Sequence, residues 1–280
     1  MKPIITPQEL AALIQNGAPI LVDARSGPTA RDKYKTGHLQ GAQFVDLERD
    51  LATPPANAAE GGRHPLPDIA AFAEFLGQLG IQPDSHVVVY DDVSGANAAA
   101  RFWWMLRAVG HESVQVLDGG YDAAVAAGIP VSSQTEQPTP QPPYPQHGWQ
   151  LPVASVEEVE QAVQHPGKLV IDVRAAARFR GEVEPIDLVA GHIPGAVNIP
   201  YTSNLDSQGF YLPQQELRAK YEAALGSRKP EEVMVHCGSG VTACHTLLAM
   251  DYAGLEIPKL YVGSWSEWSR SGREVATGAE

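Results

Sequence analysis

The segment Val233-Met-Val-His-Cys-Gly-Ser-Gly-Val-Thr-Ala-Cys-His-Thr-Leu-Leu-Ala-Met250 reads as a buried strand, a tight loop and a helix, with Cys237 where the strand ends. Gly238 and Gly240 carry no side chain, so backbone N–H groups can turn inward around one point. The helix that follows aims its positive N-terminal end at the same point. Both features stabilise an anion, and the loop suits a thiolate and equally a persulfide, Cys–S–S⁻. A free cysteine is ordinarily a small buried hydrophobe; after an apolar strand, inside a glycine loop and before a helix, Cys237 is expected to be a nucleophile. Ser239 places a hydroxyl beside it, able to stabilise or relay charge on a departing product. Val241 and Thr242 complete the loop, Thr242 at the helix N-cap. Cys244 lies too far along the helix for a strain-free disulfide and is assigned to core packing.

The elements that must hold this loop occur twice. Ile20-Leu-Val-Asp-Ala-Arg25 returns as Leu169-Val-Ile-Asp-Val-Arg174, and Gly37-His-Leu-Gln-Gly-Ala42 as Gly191-His-Ile-Pro-Gly-Ala196. Val87-Val-Val-Tyr-Asp91 returns as Val233-Met-Val-His-Cys237, and Leu117-Asp-Gly-Gly-Tyr-Asp122 as Tyr261-Val-Gly-Ser-Trp-Ser266. The offsets are 149, 154, 146 and 144 residues, in unbroken order, which is the mark of a duplicated domain. The expected division is 1–131, a proline-rich linker at 132–150 acting as a stiff strap against both domains, and 151–280. Asp91 stands where Cys237 stands, so the first copy is expected to be non-catalytic.

Short, β-branched apolar runs (PILVDAR, HVVVYDD, KLVIDVR, EVMVHCG) suit strands buried on both faces. Helices are expected over 6–16, 68–79 and 98–109 in the first copy and over 155–164, 214–225 and 241–252 in the second. Thr6 with Glu9, and Ser155 with Glu158, form capping boxes. Strands alternating with helices make each copy an α/β domain with a mainly parallel sheet covered on both faces, and ligands are expected at the carboxyl ends of its strands. The repeated histidines His38 and His192 and the pairs Asp23/Arg25 and Asp172/Arg174 occur in both copies, which points to roles in the fold. Trp265 is expected as core or pocket wall.

The formal charge of −13 over 280 residues argues against nucleic acid or an anionic membrane as a partner. With two cysteines and neither an N-terminal signal pattern nor a membrane-length apolar run, a soluble cytoplasmic protein is expected. No zinc-type ligand spacing occurs; His236, Cys237, Cys244 and His245 would lie at opposite ends of a helix, and no metal or organic cofactor is expected.

The duplicated Asp-x-Arg, the Gly-His-[Ile/Leu]-x-Gly-Ala motif and the strand–cysteine–loop–helix unit together resemble the tandem rhodanese-domain sulfurtransferases over nearly the whole chain. Cys-Gly-Ser-Gly-Val-Thr is similar to the active loop of 3-mercaptopyruvate sulfurtransferases. The resemblance implies two rhodanese-like domains, catalysis in the second, and a ping-pong cycle. An anionic donor, 3-mercaptopyruvate or thiosulfate, would load Cys237; cyanide, a small thiol or a thioredoxin-like protein would unload it. It further implies that Arg178, in Arg178-Phe-Arg-Gly181, binds the donor anion, as a guanidinium fork suits a carboxylate. The family's second arginine, in a Glu-Pro-Arg segment, is replaced here by Ile186 in Glu184-Pro-Ile-Asp187, and Arg180 is the candidate to compensate. His64, in Arg63-His-Pro-Leu-Pro67, matches a family histidine facing the active loop and is assigned to the substrate site, with a Ser239–His64–Glu48 relay conceivable. Rhodanese-fold phosphatases and arsenate reductases share the architecture, but their seven-residue loops typically end in arginine. The stretch Cys237–Thr242 is shorter and contains none.

Overall fold

The computed structural model describes residues 1–17 and 19–279, so Glu280, the expected end of the second domain, lies outside the described residues. The chain forms two compact units: Met1–Thr53 with Pro67–Gln150 and Ser207–Tyr211, and Pro54–Leu66 with Leu151–Asp206 and Leu212–Glu280. Three stretches therefore depart from boundaries set at 131 and 151. Residues 54–66 belong to the second unit, and 207–211 to the first. The proline-rich stretch 132–150 also belongs to the first unit: its remaining N–H donors dock on helix carbonyls, Gln141 on Gly77 at 2.8 Å, Tyr144 on Ala73 at 2.9 Å and Gln150 on Ala108 at 2.7 Å.

The first unit contains β1 (Ile4–Ile5), β2 (Ile20–Asp23), β3 (His38–Leu39), β4 (Gln43–Phe44), β5 (Val87–Tyr90), β6 (Val114–Leu117) and β7 (Val131–Ser132). Five of these form a parallel sheet in the order β1-β6-β5-β2-β4, while β3 and β7 pair antiparallel on their own. The second unit contains β8 (Val153–Ala154), β9 (Leu169–Asp172), β10 (Val197–Asn198), β11 (Val233–His236) and β12 (Lys259–Tyr261), all parallel, in the order β10-β9-β11-β12-β8. Matched copy by copy, the two orders are the same. The central strands β5 and β11 are buried at every residue, which explains their unbroken apolar composition. In register, Tyr90 lies opposite Asp23 and His236 opposite Asp172, so Asp91 and Cys237 emerge at equivalent ends of equivalent strands.

Several helices begin where a side chain caps them. Thr6 and Ser155 form full capping boxes with Glu9 and Glu158. Asp68 accepts from the N–H groups of Ala70 and Ala71. The helix after the cysteine loop runs over Ala243–Tyr252, two residues later than expected. Val241 and Thr242 stay in the loop, and Thr242, already at helical φ/ψ, makes no side-chain cap bond. From Ala243 to Met250 every residue is buried, so the helix is held by packing rather than by its cap. Among the described residues no helix is long and apolar enough to cross a membrane.

The duplicated polar motifs do the same structural work in both units. Arg25 forks onto Asp23 (2.6 Å) and the Gly37 carbonyl (2.7 Å), and Arg174 onto Asp172 (2.7 Å) and the Gly191 carbonyl (2.7 Å), all buried. His38 Nδ1 donates to the Tyr34 carbonyl at 2.7 Å and stacks on that ring; His192 Nδ1 donates to the Phe179 carbonyl at 2.8 Å and stacks likewise. Each motif ties the turn after the second sheet strand to the chain that returns beneath it. A buried ion pair of this kind fixes geometry more than it stabilises, because desolvation offsets much of the attraction.

Candidate active site

Cys237 directly follows β11 and is only 3% exposed. Its backbone is fixed by the short helix Ser264–Trp268 of the same unit. The Cys237 N–H donates to Ser264 Oγ at 3.2 Å, its carbonyl accepts from the Trp265 N–H at 3.1 Å, and the Gly238 carbonyl accepts from the Ser266 N–H at 2.9 Å. His236 Nδ1 donates to the same Cys237 carbonyl at 3.1 Å. Ser264 takes up this position with φ +53°, in the left-handed region that side chains avoid, and its hydroxyl donates onward to the Tyr261 carbonyl at 2.9 Å. Gly240, at φ +74°, brings the loop against Val262, whose carbonyl oxygen would lie 2.5 Å from a Cβ there. Cys244 is buried, its thiol donates to the Gly240 carbonyl, and both cysteines are free. Trp265 is wholly buried in the core, with Arg174 over its ring at 4.6 Å.

The equivalent loop of the first unit displays what this turn does to an anion. Asp91 Oδ1 accepts from the N–H groups of Val93 (2.9 Å) and Gly95 (2.8 Å), and Oδ2 from those of Asn97 (3.0 Å) and Ala99 (3.3 Å). Burial pushes the Asp91 carboxyl up from the usual carboxylate range. Both of its oxygens nevertheless face N–H donors alone, an arrangement that a protonated carboxyl would spoil, so the geometry is that of a carboxylate. A ring of backbone N–H groups at the carboxyl end of the central strand is thus an anion cradle, and in the first unit the chain's own side chain fills it.

Around Cys237 the second unit assembles a polar shell. His64 Nδ1 and Ser239 Oγ, both buried, share a hydrogen bond of 2.7 Å. The stretch carrying His64 is pinned by the Ser264–Trp268 helix: the Gly61 N–H donates to Glu267 at 2.9 Å and the Arg63 N–H to Ser266 Oγ at 3.1 Å. Gly62, at φ +81°, presses so closely on Gly263 that a Cβ would lie 2.8 Å from its Cα. Arg178 reaches the loop, with its two terminal nitrogens 3.7 Å from the point where a Gly238 Cβ would stand. Its guanidinium is held by Glu184 (2.6 Å) and approaches Asp187 (3.5 Å). Burial alone would push the Glu184 carboxyl up; Arg178 and the N–H groups of Asp187 and Ile186 outweigh it and hold it below the usual carboxylate range.

Arg180 does not join this shell. Its guanidinium forks onto Glu182 at 2.7 and 3.0 Å in an exposed pair. Positions 178 and 180 are two apart on one short helical turn, and residues so spaced face different directions. Ile186, at the place of the missing arginine, is 54% exposed. Glu48 is exposed on the short helix Leu47–Asp50 of the first unit. Sequence reasoning passed over Ser264, Ser266, Asp187 and Arg63. The glycine pair before Arg63-His64 was the one local signal available, since it announces a tight backbone approach.

Residues 6–127 and 155–271 each match the model of the rhodanese-like domain. A probable 3-mercaptopyruvate sulfurtransferase from Pseudomonas aeruginosa is 44% identical over 281 residues, covering 98% of either chain. The thiosulfate sulfurtransferase of Gallus gallus is 38% identical over 246 residues, 85% of this chain and 81% of that one. The solved structure of a 3-mercaptopyruvate sulfurtransferase from Leishmania major superposes with a TM-score of 0.83 at 31% identity, covering 96% of this chain and 74% of that one. With one copy of the domain keeping the cysteine and the other holding an aspartate in its cradle, the chain belongs to the tandem rhodanese-domain sulfurtransferases.

Proposed function

We propose that Cys237 carries sulfane sulfur as a persulfide, loaded from a small anionic donor and discharged to a thiophilic acceptor. The observation that carries this reading is the position of Cys237 at the strand end where the twin loop gathers four N–H groups around Asp91. Such a cradle stabilises the thiolate before transfer and the Cys–S–S⁻ anion after it.

With 3-mercaptopyruvate, the thiolate attacks the donor sulfur and the S–C bond breaks. The bonding pair leaves on carbon as the enolate of pyruvate, which takes a proton. Ser239 Oγ, hydrogen-bonded to His64, is suited to stabilise that departing charge and pass the proton. With thiosulfate, attack on the outer sulfur expels sulfite, and no proton is needed. Cyanide then takes the sulfur as thiocyanate, or a thiolate takes it as a persulfide, and Cys237 returns as thiolate. Arg178 binds the carboxylate or sulfonate oxygens of the donor. Relatives named for each donor are of comparable similarity to this chain, and the Ser239–His64 pair favours 3-mercaptopyruvate, the donor whose leaving group needs a proton. A thioredoxin-like dithiol is the acceptor best matched to a persulfide, and a reducing cytoplasm to a protein whose two cysteines are free.

The test is to incubate the protein with either donor and measure the mass of the intact chain. A gain of one sulfur atom is expected, abolished by Cys237→Ser and retained in Cys244→Ser. If neither donor adds sulfur to the unmodified protein, the reading fails.

A further inference from the structure

The absent Glu-Pro-Arg arginine leaves the loop with a single cation from the region of Arg178, yet a second guanidinium stands over it from elsewhere in the sequence. Arg63 Nη2 lies 3.2 Å from the point a Gly238 Cβ would occupy, and Arg178 Nη1 and Nη2 lie 3.7 Å from the same point. Gly238 is not in a left-handed conformation, so its backbone would accept a side chain. What the missing side chain permits is the close approach of two guanidinium groups to the residue next to Cys237.

The charges around this space do not cancel. Asp187, whose side chain is fully buried, is approached by Arg63 (3.3 Å), Arg178 (3.5 Å) and Arg270 (2.8 Å). Glu184 takes Arg178 and, at 3.4 Å, Arg174, whose main partner is Asp172. Three guanidinium groups thus share Asp187 and Glu184, which leaves one positive charge in excess. Arg63 is the least satisfied of the three: its contacts to Asp187 are long, and its buried Nε carries no hydrogen bond. A cation in that condition, close to the residue that follows the cysteine, is arranged for an anionic ligand.

We propose that Arg63 is the second anion-binding arm of the donor site. It closes with Arg178 on the carboxylate of 3-mercaptopyruvate or the sulfonate oxygens of thiosulfate and replaces the arginine lost at Ile186. The proposal rests on the sulfurtransferase reading and adds to it a specificity-determining residue from a distant part of the chain. Asp187 serves as the internal counter-charge that keeps Arg63 in place while the site is empty.

The experiment is steady-state kinetics of Arg63→Ala, Arg63→Gln and Arg63→Lys with each donor, alongside discharge of preloaded persulfide to cyanide. Loss of one charge-assisted hydrogen bond predicts a rise in donor KM of about 10- to 100-fold for Ala and Gln. Lys keeps the charge without the fork and is expected to recover part of that loss. Discharge, in which no donor anion is bound, should slow clearly less than loading does. Asp187 retains Arg178 and Arg270 in every variant, and unchanged melting temperatures would confirm that the fold survives; if Ala lowers stability, Gln and Lys, which keep the stem, decide the matter. Unchanged donor KM in Arg63→Gln, or equal loss in loading and discharge, overturns the proposal. If the unmodified protein itself loads no sulfur, it is the sulfurtransferase reading that has failed.

Discussion

Replacing Asp91 by alanine tests the anion cradle in the unit that has no cysteine in its loop. The substitution removes one acceptor group and leaves four loop N–H donors, at present between 2.8 and 3.3 Å from carboxylate oxygens, inside the protein. Hydrogen bonds to a charged group contribute about 1.5–3 kcal/mol each, so the gross loss is about 6–12 kcal/mol. Burial of the carboxylate costs several kcal/mol, and that cost disappears with it. The net effect expected is a loss of about 3–5 kcal/mol, the range seen when a buried charge cluster loses one member. Asp91→Asn is nearly isosteric but turns an NH₂ group toward two of the donors, and should lose a similar amount. Urea unfolding followed by circular dichroism gives the free energy. Sulfate provides a second reading: it can enter the vacated cradle, so it should stabilise Asp91→Ala more than the unmodified protein. A loss below about 1 kcal/mol, within reach of ordinary substitutions, with no differential effect of sulfate, would refute the cradle and with it the account of the Cys237 loop.

Ser264→Ala should destabilise by about 2 kcal/mol, because it strands the buried N–H of Cys237 and the carbonyl of Tyr261. Ser264→Gly loses the same bonds but relieves the left-handed backbone, and should unfold about 1 kcal/mol later in a denaturant titration; equal losses would dismiss the strain. Acid should act on both units, since burial holds the imidazole of His111 in the first below its ordinary range as it does that of His236 in the second. Burial holds the His236 imidazole below its ordinary range, so its contribution is complete above about pH 6.5 and is lost as pH falls from there. Asp172, raised by burial but lowered more by His236 and Arg174, and Glu184 both sit below the carboxylate range. Their stabilisation is complete above about pH 4 and disappears as pH drops through their lowered values. Arg178→Ala removes the nearer of the two arginines that Glu184 meets, so the midpoint of an acid titration should move to higher pH; a midpoint that stays put would show the pair to be electrostatically idle.

Much of this architecture was legible because duplication printed it twice. Asp23/Arg25 with Asp172/Arg174, and His38 with His192, could be assigned to the fold since they recur in the copy without a cysteine. Cys237 could be singled out because Asp91 is its twin. Capping boxes and apolar runs are local, and local chemistry located the six expected helices to within a residue or two, while helices such as Ala30–Thr36 and Gly120–Ala126 went unannounced. The misplaced features are those that depend on tertiary contact. Arg180 was favoured for its nearness to Arg178 in sequence, although the geometry of a helical turn sends the two apart. Asp187 carries no signal in the sequence, yet it is the buried hub on which three arginines converge. Arg63 and Ser264 carry no signal in themselves; their roles come from the Ser264–Trp268 helix, whose side chains hold the cysteine on one side and residues 61–63 on the other.

The membership of residues 54–66 in the second unit has a consequence for inheritance. After a gene doubles, one copy is commonly free to decay or to be trimmed away once the other performs the task. Here the copy with the cysteine borrows Arg63 and His64 from a stretch encoded ahead of the duplication joint. A truncation at that joint would deliver the nucleophile without the cation above it or the imidazole beside Ser239. Substitutions at 54–66, though they lie within the first half of the sequence, therefore act on the surroundings of the cysteine in the second unit.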